Sequence, residues 1–153
     1  MKKYMLAVDQ STQGTKGLLF DRDGRLIARA DRPHRQIIDA RGFVEHDPLE
    51  ILDHTVTVCA DVIAKAGIRT DEVAGFGISN QRETTAAWNR KTGAPAGNAV
   101  VWQCARAKDI CERHRAEAES VRKKTGIPLS PYFPASKMQW ILENVPEARE
   151  LAA

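Results

Sequence analysis

Three short apolar runs near the amino end, separated only by turn-forming residues, restrict this chain more than any other feature. Tyr4 to Asp9 is an apolar run closing on an acid, which reads as a central strand with Asp9 at its carboxyl end. The stretch from Gln10 to Thr15 is small or polar and includes Gly14, and Gly17-Leu18-Leu19-Phe20 reads as a second strand. Asp23-Gly24 is a hairpin signal, and Leu26-Ile27-Ala28 reads as a third strand. Strands joined by turns this short pair antiparallel, so the chain is expected to begin as a three-stranded meander.

Residues 32–46 read as an irregular link. Asp47-Pro48-Leu49-Glu50 then announces a helix: Asp47 can cap, Pro48 suits the first helical position, and Glu50 completes a capping box. Apolar or small residues at 51, 52, 55, 58, 59, 62, 63 and 66 form one face at helical period, and Gly67 supplies the stop. Val73 to Ser79 reads as a fourth strand, and the long helix before it predicts a parallel crossover from the third. Beyond Asn80, strands are expected over Thr84–Trp88 and Asn98–Trp102 around the turn Lys91-Thr92-Gly93. Helices are expected over about 105–117 and 136–143, with another starting at Glu147 and running to Ala153. The order βββαβ is the start of a ribonuclease-H-like α/β fold with a mixed sheet. That fold adds a fifth strand, for which the remaining residues offer no candidate, so the domain over 1–153 is expected to be incomplete.

Composition narrows the function by exclusion. A formal net charge of +3 is small, and the densest basic stretch, Arg113 to Lys124, is interrupted by Glu117 and Glu119, as on a solvated helix face. Nucleic acid is therefore not indicated as a partner. Cys59, Cys104 and Cys111 form no C-x-x-C pair, and His34, His46, His54 and His114 lack metal-ligand spacing. The apolar run after Lys2 and Lys3 is ended too early by Asp9 and Gln10 for a signal peptide, and no run approaches the ~18 apolar residues of a membrane span. A reducing cytoplasm is the default compartment.

Four groups of residues carry chemistry, each with a bland reading beside it. Asp9 to Lys16 places a carboxylate at a strand end before a polar, glycine-containing turn. Such a turn can aim N–H groups and hydroxyls at phosphate oxygens, Asp9 can hold hydrated magnesium, and Lys16 can add positive charge. It can equally be an ordinary hairpin; the P-loop pattern is absent. Ser79 to Thr85 follows the fourth strand, where open sheets bind ligands, and contains Arg82-Glu83, a donor and acceptor pair suited to a polyhydroxy compound or a plain surface ion pair. Trp102 ends a strand and offers an apolar wall, or simply fills core. Tyr132, in Pro131-Tyr132-Phe133, offers a hydroxyl, or merely packs.

The stretches LAVDQSTQGTKGLLFDRDG, GFVEHDPLEI, GFGISNQRETTAAWNRKTGAP, NAVVWQCARAKDIC and RKKTGIPLSPYFPASKMQWILENVPEARE cover nearly the whole chain. In order and spacing they resemble the N-terminal part of the FGGY carbohydrate kinases, and within them the branch acting on glycerol. The resemblance implies an actin/hexokinase-type ATPase fold that uses ATP and Mg2+. It implies Asp9 at the magnesium site, Thr12, Gln13, Thr15 and Lys16 along the ATP phosphates, and Arg82, Glu83, Trp102 and Tyr132 against the polyol. The family's first loop is usually DQGTTSSR. Here Ser11 stands for its first Gly, Gln13-Gly14 for Thr-Ser, and Lys16 where Arg is common.

In the family an Asp general base takes the polyol proton as the oxygen attacks the γ-phosphoryl group. The resemblance puts that base after residue 153, so no catalytic residue is assigned in this chain and the isolated chain is expected to be inactive. The full-length parent is expected to be a homo-oligomer. Kinases for xylulose, gluconate or erythritol, and a non-catalytic polyol-binding module, are the alternatives. A ribonuclease-H-like nuclease would need several acids at strand ends, yet the fourth strand ends in Ser79-Asn80. An unfinished sheet would also leave an open edge and an apolar face, which predicts association of the isolated chain.

Overall fold

The computed structural model describes residues 3–152. The expected domain bounds and the end of the last helix therefore fall partly outside the described residues, at Met1, Lys2 and Ala153. In chain order the elements are β1 (Tyr4–Gln10), β2 (Gly14–Phe20), β3 (Leu26–Pro33), β4 (Ile37–Ile38), β5 (Val44–His46), α1 (Pro48–Ala66), β6 (Val73–Asn80), β7 (Ala99–Val100), α2 (Lys108–Arg113), α3 (Ala118–Thr125), α4 (Pro134–Asn144) and α5 (Pro146–Ala152). Two compact units emerge. One holds the chain up to Arg35 together with Leu49–Gln81; the other holds Gln36–Pro48 and the chain from Arg82 onward.

The first unit contains a sheet of order β3-β2-β1-β6. The meander is antiparallel as expected, with Val8 opposite Gly17 and Asp9 opposite Lys16. The fourth strand of the sheet, β6, runs parallel to β3, but its hydrogen-bonding partner is β1, with Val8 beside Ile78 and Asp9 beside Ser79. Alternation in β1 turns Leu6, Val8 and Gln10 inward. Leu6 and Val8 meet Leu19, Ala30, and Val58 and Val62 of α1 in one core. Gly17 permits this close packing, since a Cβ there would lie 2.7 Å from the Val58 carbonyl oxygen. The register puts Phe76 and Ile78 on the same face as Leu6 and Val8, yet both are exposed, as are Leu52 and Val56 on α1. Among the described residues this sheet has four strands, and β6 forms one edge.

The second unit is less regular. β4, β5 and β7 form a small antiparallel sheet, and β4 and β5 lie in what the sequence suggests is an irregular link. They span only Ile37–Ile38 and Val44–His46, too short for alternation to reveal. The strands expected over 84–88 and 98–102 shrink to β7 and the isolated bridges Thr85↔Val100 and Trp88↔Pro95. Val101 N–H faces β5 and donates to the Val44 carbonyl, and the pairing with the 84–88 segment stops where Trp102 N–H turns to the Thr84 hydroxyl instead of a backbone carbonyl. The helix expected over 105–117 is divided into α2 and a 3-10 turn over Arg115–Glu117, followed by α3. Helix α3 has no buried residue and so no apolar stripe to announce it. It ends at Gly126, whose left-handed backbone sends its N–H to the Arg122 carbonyl. A core of Val44, Val100, Val101, Cys104, Ile141 and Ala148 holds this unit together.

Candidate functional site

In the first unit, the carboxyl ends of β1 and β6 lie side by side, where open sheets present ligand sites. Asp9 is half-exposed there, and its carboxylate accepts a 3.0 Å bond from Lys16 Nζ on β2. The turn between the strands is closed by Ser11, whose N–H and hydroxyl both donate to the Gly14 carbonyl at 2.9 Å. Ser11 thus braces the turn at the position where a glycine is usual. Gly14 is required for steric reasons, since a Cβ there would sit 2.5 Å from the Arg32 carbonyl oxygen on β3. Thr12 and Gln13 occupy the tip of the turn, with Gln13 exposed.

Thr15 departs from the expectation that it faces phosphate. It is fully buried, and its hydroxyl is 2.8 Å from His34 Nε2. The cause is strand alternation: Thr15 lies opposite the inward-facing Gln10, so it points to the helix-covered side while Asp9 and Lys16 point away. Its role is to brace the turn from beneath, with the His34 ring stacked on His54 at 5.4 Å. Gln10 is a residue that sequence reasoning passed over. It is buried, its Nε2 donates to the Ser11 carbonyl at 3.1 Å, and its Oε1 accepts the Gln81 N–H at 3.3 Å. One side chain therefore ties the β1–β2 turn to the exit of β6. The signal in the sequence was parity, since Gln10 continues the Leu6–Val8 face of the strand.

In the second unit, Trp102 has neighbours from two of the expected polyol stretches, Thr84 and Tyr132. The Thr84 hydroxyl accepts Trp102 N–H at 3.3 Å, which puts the Arg82-Glu83-Thr84 segment beside the indole's own backbone. The Tyr132 ring meets Trp102 edge-on, with centroids 5.6 Å apart, and packs on Phe133 at 5.1 Å. Tyr132 and Arg82 are exposed, so the corner offers an apolar wall with a phenol and a guanidinium open to solvent. Glu83 has φ of 61°, a left-handed backbone that a non-glycine residue holds only when its surroundings fix it, and such strain clusters at functional sites.

Two buried cations support this unit, and neither was picked out from the sequence. The Arg106 guanidinium lies over the rings of Phe43 and Trp140 at 4.4 and 4.7 Å and pairs with Glu45 at 2.7 Å. Lys137 is fully buried. Burial pushes its pKa below the usual lysine value, while Cys104, Glu83 and Cys111 pull it partly back.

Among the described residues no cluster of three His, Cys, Asp or Glu could hold a metal ion, and no helix is long and apolar enough to cross a membrane. Asp9 alone fits a magnesium that keeps its waters and is held mainly through substrate phosphates.

Comparison with known proteins places this geometry. Residues 4–153 match the FGGY family of carbohydrate kinases, N-terminal domain. The chain is 48% identical to a glycerol kinase of Treponema denticola over 99% of its own length, and 47% identical to one from a Shewanella species, again over 99%. It spans 31% of the length of each of these relatives. Among solved structures it superposes on the glycerol kinase of Plasmodium falciparum, crystallised with ADP, with a TM-score of 0.87 at 32% identity, covering 96% of this chain and 30% of that one. Ligand-bound xylulose kinase from Lactobacillus acidophilus gives 0.85 at 26% identity, covering 97% and 30%. The fold is the ribonuclease-H-like, actin-type ATPase α/β fold of these kinases. From residue 4 to residue 153, the chain belongs to the FGGY family of carbohydrate kinases.

Proposed function

We propose that this chain carries the phosphate turn and the substrate shelf of an ATP-dependent kinase for a small polyol, glycerol foremost, and that it is catalytically silent alone. The observation that carries this reading is the corner in which Tyr132 stands edge-on to Trp102 while Thr84 anchors the Trp102 backbone. An apolar wall flanked by Arg82, Glu83 and the Tyr132 hydroxyl suits a three-carbon polyol, whose carbons need a hydrophobic surface and whose hydroxyls need both donors and acceptors. Relatives at 47–48% identity are glycerol kinases, and among the solved structures a glycerol kinase stands at 32% against 26% for a xylulose and a gluconate kinase, which supports glycerol over those sugars.

ATP supplies the phosphoryl group, and Mg2+ neutralises its charge. This chain's residues do the holding. Asp9 would hold the hydrated metal, Thr12 and Gln13 would present the turn to the phosphates, and Lys16, now paired with Asp9, would add positive charge beside them. Thr15 supports the turn rather than touching ligand. Arg82, Glu83 and Tyr132 orient the hydroxyls. The general base and the adenine pocket come from the rest of the whole protein, which in the relatives is more than three times this length. The three cysteines are free thiols, which suits a cytoplasmic enzyme. The whole protein is a homo-oligomer acting on a small molecule, with neither nucleic acid nor membrane as partner.

A coupled assay of ATP and glycerol consumption on the isolated 153-residue chain tests the division of labour. Losing a general base typically costs on the order of 10²–10⁴ in rate, and losing the adenine pocket as well leaves no turnover above blank. Robust turnover would show that the base lies within these residues.

A further inference from the structure

We infer that Lys137 is a positioning residue for the polyol shelf, its buried ammonium holding the Pro131 and Tyr132 carbonyls so that the Tyr132 ring stands against Trp102. The inference rests on the polyol reading of that corner and adds a residue to it.

Four consecutive carbonyls make the case. Those of Ser130, Pro131, Tyr132 and Phe133 all accept from side chains in the first turn of α4. Ser136 Oγ donates to Phe133 at 3.3 Å and to Ser130 at 3.5 Å. Lys137 Nζ donates to Pro131 at 2.6 Å and also to Tyr132. The Ser130 carbonyl also accepts the Phe133 N–H at 3.2 Å, whereas the Pro131 and Tyr132 carbonyls lie in irregular backbone and take the Lys137 ammonium. A lysine is an expensive donor here. Its charge is buried, it sits at the positive end of a helix, and its long side chain loses its rotamer freedom. A Met or Leu would fill comparable space without those costs. What they lack is a pair of N–H groups for the two carbonyls that flank the Tyr132 nitrogen and Cα.

The location adds a second link. Glu83 is among the groups whose charge favours the protonated lysine. The ammonium is bonded to the loop carrying the phenol, and the Glu83 charge is felt there. Phe133 and Pro134 open α4 immediately after that loop, so the helix is the rigid body to which Tyr132 is referenced.

The test uses the 153-residue chain and two variants, Lys137→Met and Lys137→Arg, with far-UV circular dichroism as the folding check. Two signals are read by NMR: the NOE between the Tyr132 and Trp102 rings, and the glycerol concentration that half-shifts the Trp102 indole resonance. Lys137→Met is expected to stay folded, lose the ring NOE and weaken glycerol binding by about 10-fold, the worth of about one hydrogen bond to the misplaced Tyr132. Lys137→Arg, which keeps a buried donor, is expected to keep the NOE and most of the affinity. A folded Lys137→Met with the NOE intact and unchanged affinity would overturn the inference. If Lys137→Met does not fold, Lys137→Arg decides: a folded Lys137→Arg without the ring NOE counts against the role. If the wild-type chain shows no glycerol response at all, the polyol reading fails, while the NOE still reports on Lys137.

Discussion

The sheet unit is held by ladders of backbone bonds and a core of Leu6, Val8, Leu19, Ala30, Val58 and Val62. The shelf unit has strands of two or three residues and places a fully buried lysine and a nearly buried arginine where the first unit places valines. In the first, apolar area does most of the stabilising, and polar atoms are used up by regular pairing. In the second, irregular backbone leaves the Pro131 and Tyr132 carbonyls to a buried lysine, and the Glu45 carboxylate takes Arg106 on one oxygen and the Asn98 amide on the other. A regular unit suits a turn that must hold its shape against phosphate, and an irregular one can aim several different side chains at one small molecule.

The sharpest way to break this comparison is Arg106→Ala. It empties the slot between Phe43 and Trp140 and leaves Glu45 with the Asn98 amide and partial solvent contact, and a loss of about 2–4 kcal/mol is expected in urea unfolding. A loss under about 1 kcal/mol would mean that the second unit does not depend on its cation. Val58→Ala is the counterpart in the sheet unit. With 0% of Val58 exposed, about 2 kcal/mol should be lost, whereas Val56→Ala on the same helix, at 62% exposure, should change stability by less than about 0.5 kcal/mol. Gly14→Ala should cost about 1–3 kcal/mol because the new methyl meets the Arg32 carbonyl, and it should disturb the Asp9–Lys16 pair, visible as shifts of both residues in NMR. The smallest effect is electrostatic. The Phe43 N–H, with Arg41 as the weaker contributor, holds the Asp39 carboxyl below the usual range. A depressed folded pKa contributes stability above the unfolded value and loses it as pH falls through the folded one. Asp39→Asn should therefore flatten the acid side of the melting temperature against pH slightly and leave neutral pH nearly unchanged.

How much of each unit was legible follows from the same contrast. The meander, α1 and β6 were readable because period 2 and period 3.6 leave their mark on strings such as Tyr4–Asp9 and Ile51–Ala66. The neighbour of β6 was not, since pairing with β1 rather than β3 depends on where the helix returns the chain. In the second unit, β4 and β5 are too short to show a period, and α3 has no buried face. Asp9, Lys16, Arg82, Glu83, Trp102 and Tyr132 stood out because their chemistry is unusual at strand ends or because they match family positions. Thr15 was misjudged because parity within β2, not proximity to the turn, decides which way a hydroxyl points. Lys137 went unnoticed because nothing in Pro134-Ala135-Ser136-Lys137 announces that its ammonium is enclosed.

The central claim is that residues 82–84, Trp102 and Tyr132 make a shelf for a small polyol. Titrating glycerol into the 153-residue chain while following the Trp102 indole resonance tests it most directly, alongside Arg82→Ala. The account predicts a saturable shift of Trp102, with Trp88 and Trp140 unmoved, that disappears in the folded Arg82→Ala variant. Identical responses in both proteins, or no saturable shift in either, would contradict it.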